Sequence, residues 1–252
     1  MLGFTSVINS KGMYLYGTIH RTSHIPKGIV LLVHGHLSSN RIGPNRLYYE
    51  ISNNLCSLGF DVYRFDLSGM GESDGNIEST SFEDHVNDVL TIIDNITQSM
   101  ASIPLYLVAH CVGCNISLDA MIKSQKIDKA IFISPFFSNK SSLSRMFSDK
   151  QLNEMQSSGS SWRKGLYTGR SFFLDACAEE VFFEKIQIEK ERVHVVYGSE
   201  EQYIAKEDCL RLYADIGQEK LFIENGDHNF LIHESRKRLM DFINSKLAEV
   251  AG

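Results

Sequence analysis

Residues 105–114, LYLVAHCVGC, constrain the fold of this chain more than any other stretch. An apolar run rich in β-formers ends in small-x-Cys-x-Gly, and a helix-like segment follows. A buried strand that turns at once into a helix needs small residues two before and two after the apex, here Ala109 and Gly113. The apex side chain, Cys111, then stands above the carboxyl end of the strand, beside a helix N-terminus that favours a developing anion. Serine is the common occupant of such an apex; here it is cysteine.

The rest of the chain repeats the strand–helix alternation that such an elbow requires. Strands are expected at residues 12–21 and 28–34. The second is an apolar run, Ile29-Val30-Leu31-Leu32-Val33, as in a strand buried on both faces. Residues 45–58 carry Leu47, Ile51, Leu55 and Leu58 at helical spacing, and Gly59 ends the helix. A strand at 60–65 leads into a glycine-rich turn, 66–75. Residues 81–100 show a buried helical stripe of Val86, Val89, Leu90, Ile93 and Ile96. A short strand is expected at 130–134. After Pro135 the alternation breaks, and residues 136–191 carry no convincing strand; a loop is expected at 157–161 and an apolar helix at 172–186. The pattern resumes with a strand at 193–197, a helix at 205–216, a strand at 220–223 and an amphipathic helix at 235–250. The expected fold class is therefore α/β, a mostly parallel sheet with helices on both faces. Residues 1–135 and 192–252 form the core, and 136–191 form an inserted helical lid.

Composition narrows the class. At 252 residues with 43% hydrophobic residues, the chain can bury a large core. A net charge of −6 without charge blocks argues against nucleic acid or anionic membrane as a partner. No stretch reads as a membrane span or a secretory signal, so the expected location is cytoplasmic. Five scattered cysteines fit reduced thiols better than a disulfide framework. Neither a metal nor a cofactor is expected, and oligomeric state is not encoded in any pattern.

Four motifs follow one another in a telling order: His34-Gly35-His36 after the second apolar strand, Asp66-x-x-Gly69-x-Gly71-x-Ser73, the Cys111 elbow, and Gly226-Asp227-His228 after the last strand. In this order they resemble the α/β-hydrolases, and specifically the lidded serine-hydrolase-like branch that includes monoacylglycerol lipase-like enzymes and many thioesterases. The resemblance covers nearly everything but the lid. It implies Cys111 as nucleophile and His228 as general base. The backbone N–H groups of His36 and Val112 would form the oxyanion hole. The acid should follow the strand at 193–197. There Gly198-Ser199-Glu200-Glu201 puts Glu201 in the place of the family's aspartate, with Glu200 as the nearest competitor. The glycine-rich turn would be structural. Dienelactone hydrolases, some polyketide thioesterases and polyester synthases resemble this chain in using cysteine.

The implied chemistry is acyl transfer through a Cys-His-Glu triad and a covalent acyl-enzyme. The expected substrate is a small acyl thioester or ester, with coenzyme A or a carrier protein as a candidate acyl carrier, and with water, an alcohol or an amine as acceptor. The contrasting reading is a silent hydrolase fold that only binds. Cys111 and Cys114 also form a Cys-x-x-Cys, which could be a redox pair or half a metal site, but no second pair stands at zinc spacing. His110 and His36 are expected at the pocket rim, contacting substrate or only lining the elbow. Phe136 and Phe173 either line an acyl pocket or glue the lid to its core. His34 reads as structural, and His233 as solvated. His20, His24, His85 and His194 suggest no role beyond surface or loop. Asp74, Asp84 and Asp88 read as helix caps.

Overall fold

The computed structural model describes residues 2–35, 40–100, 102–163 and 165–251. A hairpin of β1 (Leu2–Ser10) and β2 (Met13–Arg21) comes first. Then β3 (Gly28–Val33), α1 (Leu47–Ser57), β4 (Phe60–Phe65), α2 (Phe82–Ser99), β5 (Leu105–His110), α3 (Val112–Lys123) and β6 (Lys129–Ile133) alternate. An excursion follows, made of α4 (Lys140–Met146), α5 (Asp149–Ser158), the strands β7 (Ser160–Arg163) and β8 (Leu166–Gly169), a π-helical turn (Ser171–Ala176) and α6 (Glu179–Glu189). The chain returns through β9 (Val193–Glu200), α7 (Lys206–Ile216), β10 (Phe222–Asp227) and α8 (His233–Ala251).

Among the described residues, one sheet runs β1-β2-β4-β3-β5-β6-β9-β10. The β1–β2 and β2–β4 pairs are antiparallel, and the other pairs are parallel. Side chains alternate across a strand, so each central strand feeds two cores. Ile29, Leu31, Val33, Leu105, Leu107 and Ala109 enter one core, with α2, α3, α7 and the phenylalanines of the excursion. Val30, Leu32, Tyr106 and Val108 enter the other, under α1 and α8. Each fully buried aliphatic side chain of this kind contributes about 1.5–3 kcal/mol. α2 begins at a capping box in which Ser81 and Asp84 exchange hydrogen bonds of 3.1 and 2.9 Å.

Several expectations need correction. β1 carries few core residues, because as an edge strand it leaves most of its side chains exposed; its period-2 signal is correspondingly faint. Lys11 and Gly12, both at positive φ, turn it tightly into β2. The excursion is not purely helical. β7 and β8 pair as a separate small hairpin, and the expected helix at 172–186 breaks into the π-helical turn and α6. His20 and His85 are buried, not superficial. Of the three aspartates, Asp84 caps α2, but Asp74 accepts from the Tyr14 N–H at 2.9 Å. Asp88 is buried and accepts from Ser10 and Ser68. No helix among the described residues is long and apolar enough to cross a membrane.

Candidate active site

The nucleophile position is built by close approach. β5 delivers Cys111 to the N-cap of α3 at φ 56°, ψ −127°. Positive φ in a side-chain-bearing residue costs about 1–3 kcal/mol and persists only where the surroundings enforce it. The Cys111 N–H donates to the Ile133 carbonyl and its carbonyl accepts from the Cys114 N–H, both at 3.0 Å. Gly113 has no alternative: a Cβ there would lie 2.6 Å from the carbonyl oxygens of both Val33 and His34. Gly35 lies equally close to the apex, where a Cβ would sit 3.2 Å from the Cys111 Cβ. Cys111 is partly exposed, while the other four cysteines are buried. Burial holds the thiols of Cys114 and Cys177 well above the ordinary range, and the Cys114 Sγ points at the Ile133 carbonyl, 3.7 Å away.

The loops after β9 and β10 bring an acid and a base to the same place. Both carboxylate oxygens of Glu201 lie 2.9 Å from His228 Nδ1, and the two side chains are almost wholly buried. Nδ1 is taken by Glu201, which leaves Nε2 as the ring nitrogen available to a reacting group. Glu200 is exposed, and its Oε1 accepts from Ser199 at 3.1 Å. Burial alone would push the His228 imidazole down. The charges of Glu201 and Cys111 outweigh it and raise His228 well above the usual value. Burial would push Glu201 up, but the neighbouring imidazolium and the N–H groups of His228 and Tyr203 hold it below the usual carboxylate value.

His110 is not at a rim. It is buried beneath His228, with ring centroids 4.9 Å apart. Its Nε2 lies 2.8 Å from the His228 carbonyl oxygen, which can only accept, so Nε2 carries the proton. Nδ1 therefore accepts from the Tyr48 hydroxyl at 3.0 Å. Burial and the charge of His228 hold His110 down at about 3, so it stays neutral. Tyr48, and Tyr203 edge-on to the His228 ring at 4.7 Å, have no signal in the sequence that marks them. Phe136 and Phe173 are fully buried and pack edge-to-face at 5.7 Å, gluing the excursion to the core. Asn115 Nδ2 ties down the Phe136 carbonyl at 2.7 Å. His34 is structural: its Nε2 accepts the Leu67 N–H at 3.0 Å. Val112 opens α3 directly after Cys111. His36 lies outside the described residues. No cluster that could hold a metal ion occurs among the described residues.

The comparisons with known proteins give the family and the fold. The Hydrolase_4 family model, described as serine aminopeptidase, S33, matches residues 24–166, more than half of the chain. The chain belongs to this family. Within the Hydrolase_4 match lie β3, the Gly35 turn and the Cys111 elbow. Mouse monoglyceride lipase is 29% identical over 113 residues, 44% of this chain and 36% of that enzyme. The match thus spans well under half the length of that relative. Among solved structures, Est1E from Butyrivibrio proteoclasticus with ferulic acid bound superposes with a TM-score of 0.77. The identity is 17%, covering 96% of this chain and 99% of that one. The thioesterase domain from the curacin biosynthetic pathway reaches 0.68 at 17% identity, with coverages of 96% and 99%. The fold of this Hydrolase_4 member is that of the α/β-hydrolases.

Proposed function

We propose that the chain is an acyl hydrolase or acyltransferase that works through a covalent thioester on Cys111. One observation carries the reading: a partly exposed cysteine on a strained elbow shares its histidine with a buried carboxylate 2.9 Å away. The Cys111 thiolate adds to the acyl carbon, and the carbonyl π electrons move onto oxygen. That oxygen is held by backbone N–H groups at the start of α3, that of Val112 among them, beside the positive end of the helix dipole. The tetrahedral centre collapses, and the leaving thiolate or alkoxide takes the proton from His228 Nε2. Water, an alcohol or an amine then attacks the new thioester while His228 takes its proton, and the Cys111 thiolate leaves.

A small acyl thioester or ester is the substrate class that suits a thiolate nucleophile. The names of a monoglyceride lipase and a thioesterase domain among similar proteins support acyl chemistry. Coenzyme A and carrier proteins are the candidate acyl carriers. Residues 136–191 act as a lid beside the site and set acyl preference through surfaces other than Phe136 and Phe173.

Incubation with a panel of acyl thioesters, followed by intact-mass and peptide mapping, tests the reading. The expected result is an acyl adduct on Cys111 that turns over. Absence of any adduct, together with alkylation of Cys111 no faster than an unactivated thiol, would instead favour a silent binding fold.

A further inference from the structure

A second cavity opens away from the triad, between α1 and the β1–β2–β4 end of the sheet. Its volume is about 750 Å³, and its lining includes His20, Arg41, Arg46, Tyr49, Asn53 and Arg64. Three guanidinium groups line it and no carboxylate does, although the chain as a whole carries −6. Arg41 is already neutralised by Asp66 and Glu72. Arg46 and Arg64 have no carboxylate partner among the described residues. Arg46 lies over the Tyr49 ring at 4.3 Å, and Arg64 lies 5.7 Å from the same ring.

Arg64 is the informative member. It is only 3% exposed; its direct hydrogen-bond partners are neutral, the Arg41 carbonyl at 2.6 Å and His20 Nε2 at 2.9 Å, and the carboxylate whose charge acts on it, Asp66, is already paired with Arg41. Burial and the nearby Arg41 charge lower it to about 10, a measure of how poorly the cation is compensated. Because His20 Nε2 accepts from Arg64, the His20 proton is on Nδ1. Burial and the Arg64 charge lower His20 to about 4, so the ring is neutral. His20 Nδ1–H and Arg64 Nε–H are two buried donors without an acceptor among the described residues, set behind the cavity wall. What faces a ligand is the guanidinium cluster itself, with Arg46 exposed at its mouth.

We propose that this cavity is a binding site for a phosphate monoester group. The match is of charge and of geometry. Arg46 and Arg64 supply two positive charges that no carboxylate touches among the described residues, and a phosphate monoester carries about −1.5 to −2 with three acceptor oxygens. Guanidinium groups suit it through forked, charge-assisted hydrogen bonds. A carboxylate would neutralise only one of the two cations. The phosphate has two possible sources: the phosphorylated end of an acyl carrier, or a separate phosphorylated ligand. Arg41 stands six residues beyond Gly35, which abuts Cys111, so the Cα atoms of Gly35 and Arg41 are at most about 22 Å apart. The site itself does not depend on the acyl reading.

Isothermal titration of the Cys111→Ala protein with inorganic phosphate tests the proposal without any turnover, and acetate serves as the weaker control. Saturable phosphate binding is expected. Arg46→Gln, at an exposed position, should weaken it at least about tenfold, the loss of one charge-assisted hydrogen bond. Asn53→Asp, isosteric but negative, should weaken it comparably, so that a misfolded Arg64 variant is not needed to decide. Coenzyme A that competes with phosphate and binds more tightly would assign the site to the acyl donor. Coenzyme A that does not compete, with phosphate still bound, would assign it to a separate phosphorylated ligand. No phosphate binding, or binding unchanged in both variants, overturns the proposal.

Discussion

The imidazole of His110 donates from Nε2 to the main-chain oxygen of His228, so the residue just before Cys111 holds the backbone of His228. His110→Phe removes that donor and strands the Tyr48 hydroxyl's hydrogen bond to His110. The expected cost is about 1–3 kcal/mol of stability for the buried His228 carbonyl that loses its donor. Turnover should fall more than substrate affinity, since the His228 loop loses its anchor while the substrate surface is untouched. His110→Gln, which retains a donor, should recover part of kcat. Thermal denaturation and steady-state kinetics on the two variants check this.

Cys111→Ala should abolish acyl-enzyme formation with the fold intact, and Cys111→Ser should keep weak ester hydrolysis because base and oxyanion donors remain. In the unmodified protein iodoacetamide at neutral pH should label Cys111 well ahead of the four buried thiols. Peptide mapping after brief exposure reads the order directly. Normal turnover by Cys111→Ala would overturn the triad.

Glu201→Gln should slow the reaction by about 10²–10⁴-fold, against little change for Glu200→Gln. It should also drop the His228 pKa, because burial, which opposes the charge, is then met by Cys111 alone. NMR titration of the ring protons follows this shift. The linkage has a definite sign. His228 is raised in the folded state, so its contribution is complete below the unfolded value of 6.5 and is lost as pH rises through the folded value. Glu201 is lowered, so its contribution is complete above 4.5 and is lost as pH falls through the folded value. The stability lost in Glu201→Gln should therefore be greatest between pH 4.5 and 6.5. Denaturant melts across pH measure it.

Gly113→Ala should be more damaging than its one methyl suggests. The added carbon meets two rigid carbonyl oxygens at 2.6 Å, so either α3 or the β3 end must move. About 1–3 kcal/mol of stability should go. Thiol alkylation should slow as well, since the shift falls on the turn that presents Cys111. Unchanged alkylation with lowered stability would show that the apex tolerates the displacement.

Much of this was legible in the sequence because chemistry leaves fixed spacings. Small residues around Cys111, a glycine followed three positions later by Glu201, and His228 after the last strand are demands of local geometry, so they survive as patterns. The two apolar runs of β3 and β5 were equally plain, being buried on both faces. What was hidden depends on tertiary packing. β1 lies at the sheet edge with little to bury, and the β7–β8 hairpin has four-residue strands, too short for a period to show. His110 reads as a rim residue until His228, after β10, is placed next to it, and whether Phe136 and Phe173 line a pocket or glue the lid stays open until they are seen to pack on each other. The charge cluster at Arg46 and Arg64 comes from the residue just before α1 and from β4, and has no linear signature at all.

The excursion between β6 and β9 leaves and rejoins the sheet at neighbouring strands, with Ala130 paired to Val193. Its two ends are therefore held together by the sheet whatever lies between them. Lengthening such a loop costs only slowly growing closure entropy, about 0.6 kcal/mol per doubling. Cys111 precedes the excursion, and Glu201 and His228 follow it, on strands whose register it does not set. The small hairpin β7–β8 can consequently grow or shrink without disturbing the sheet, while the buried phenylalanines on either side of it stay in the core. Length can vary there without the cost that a change of strand register would bring.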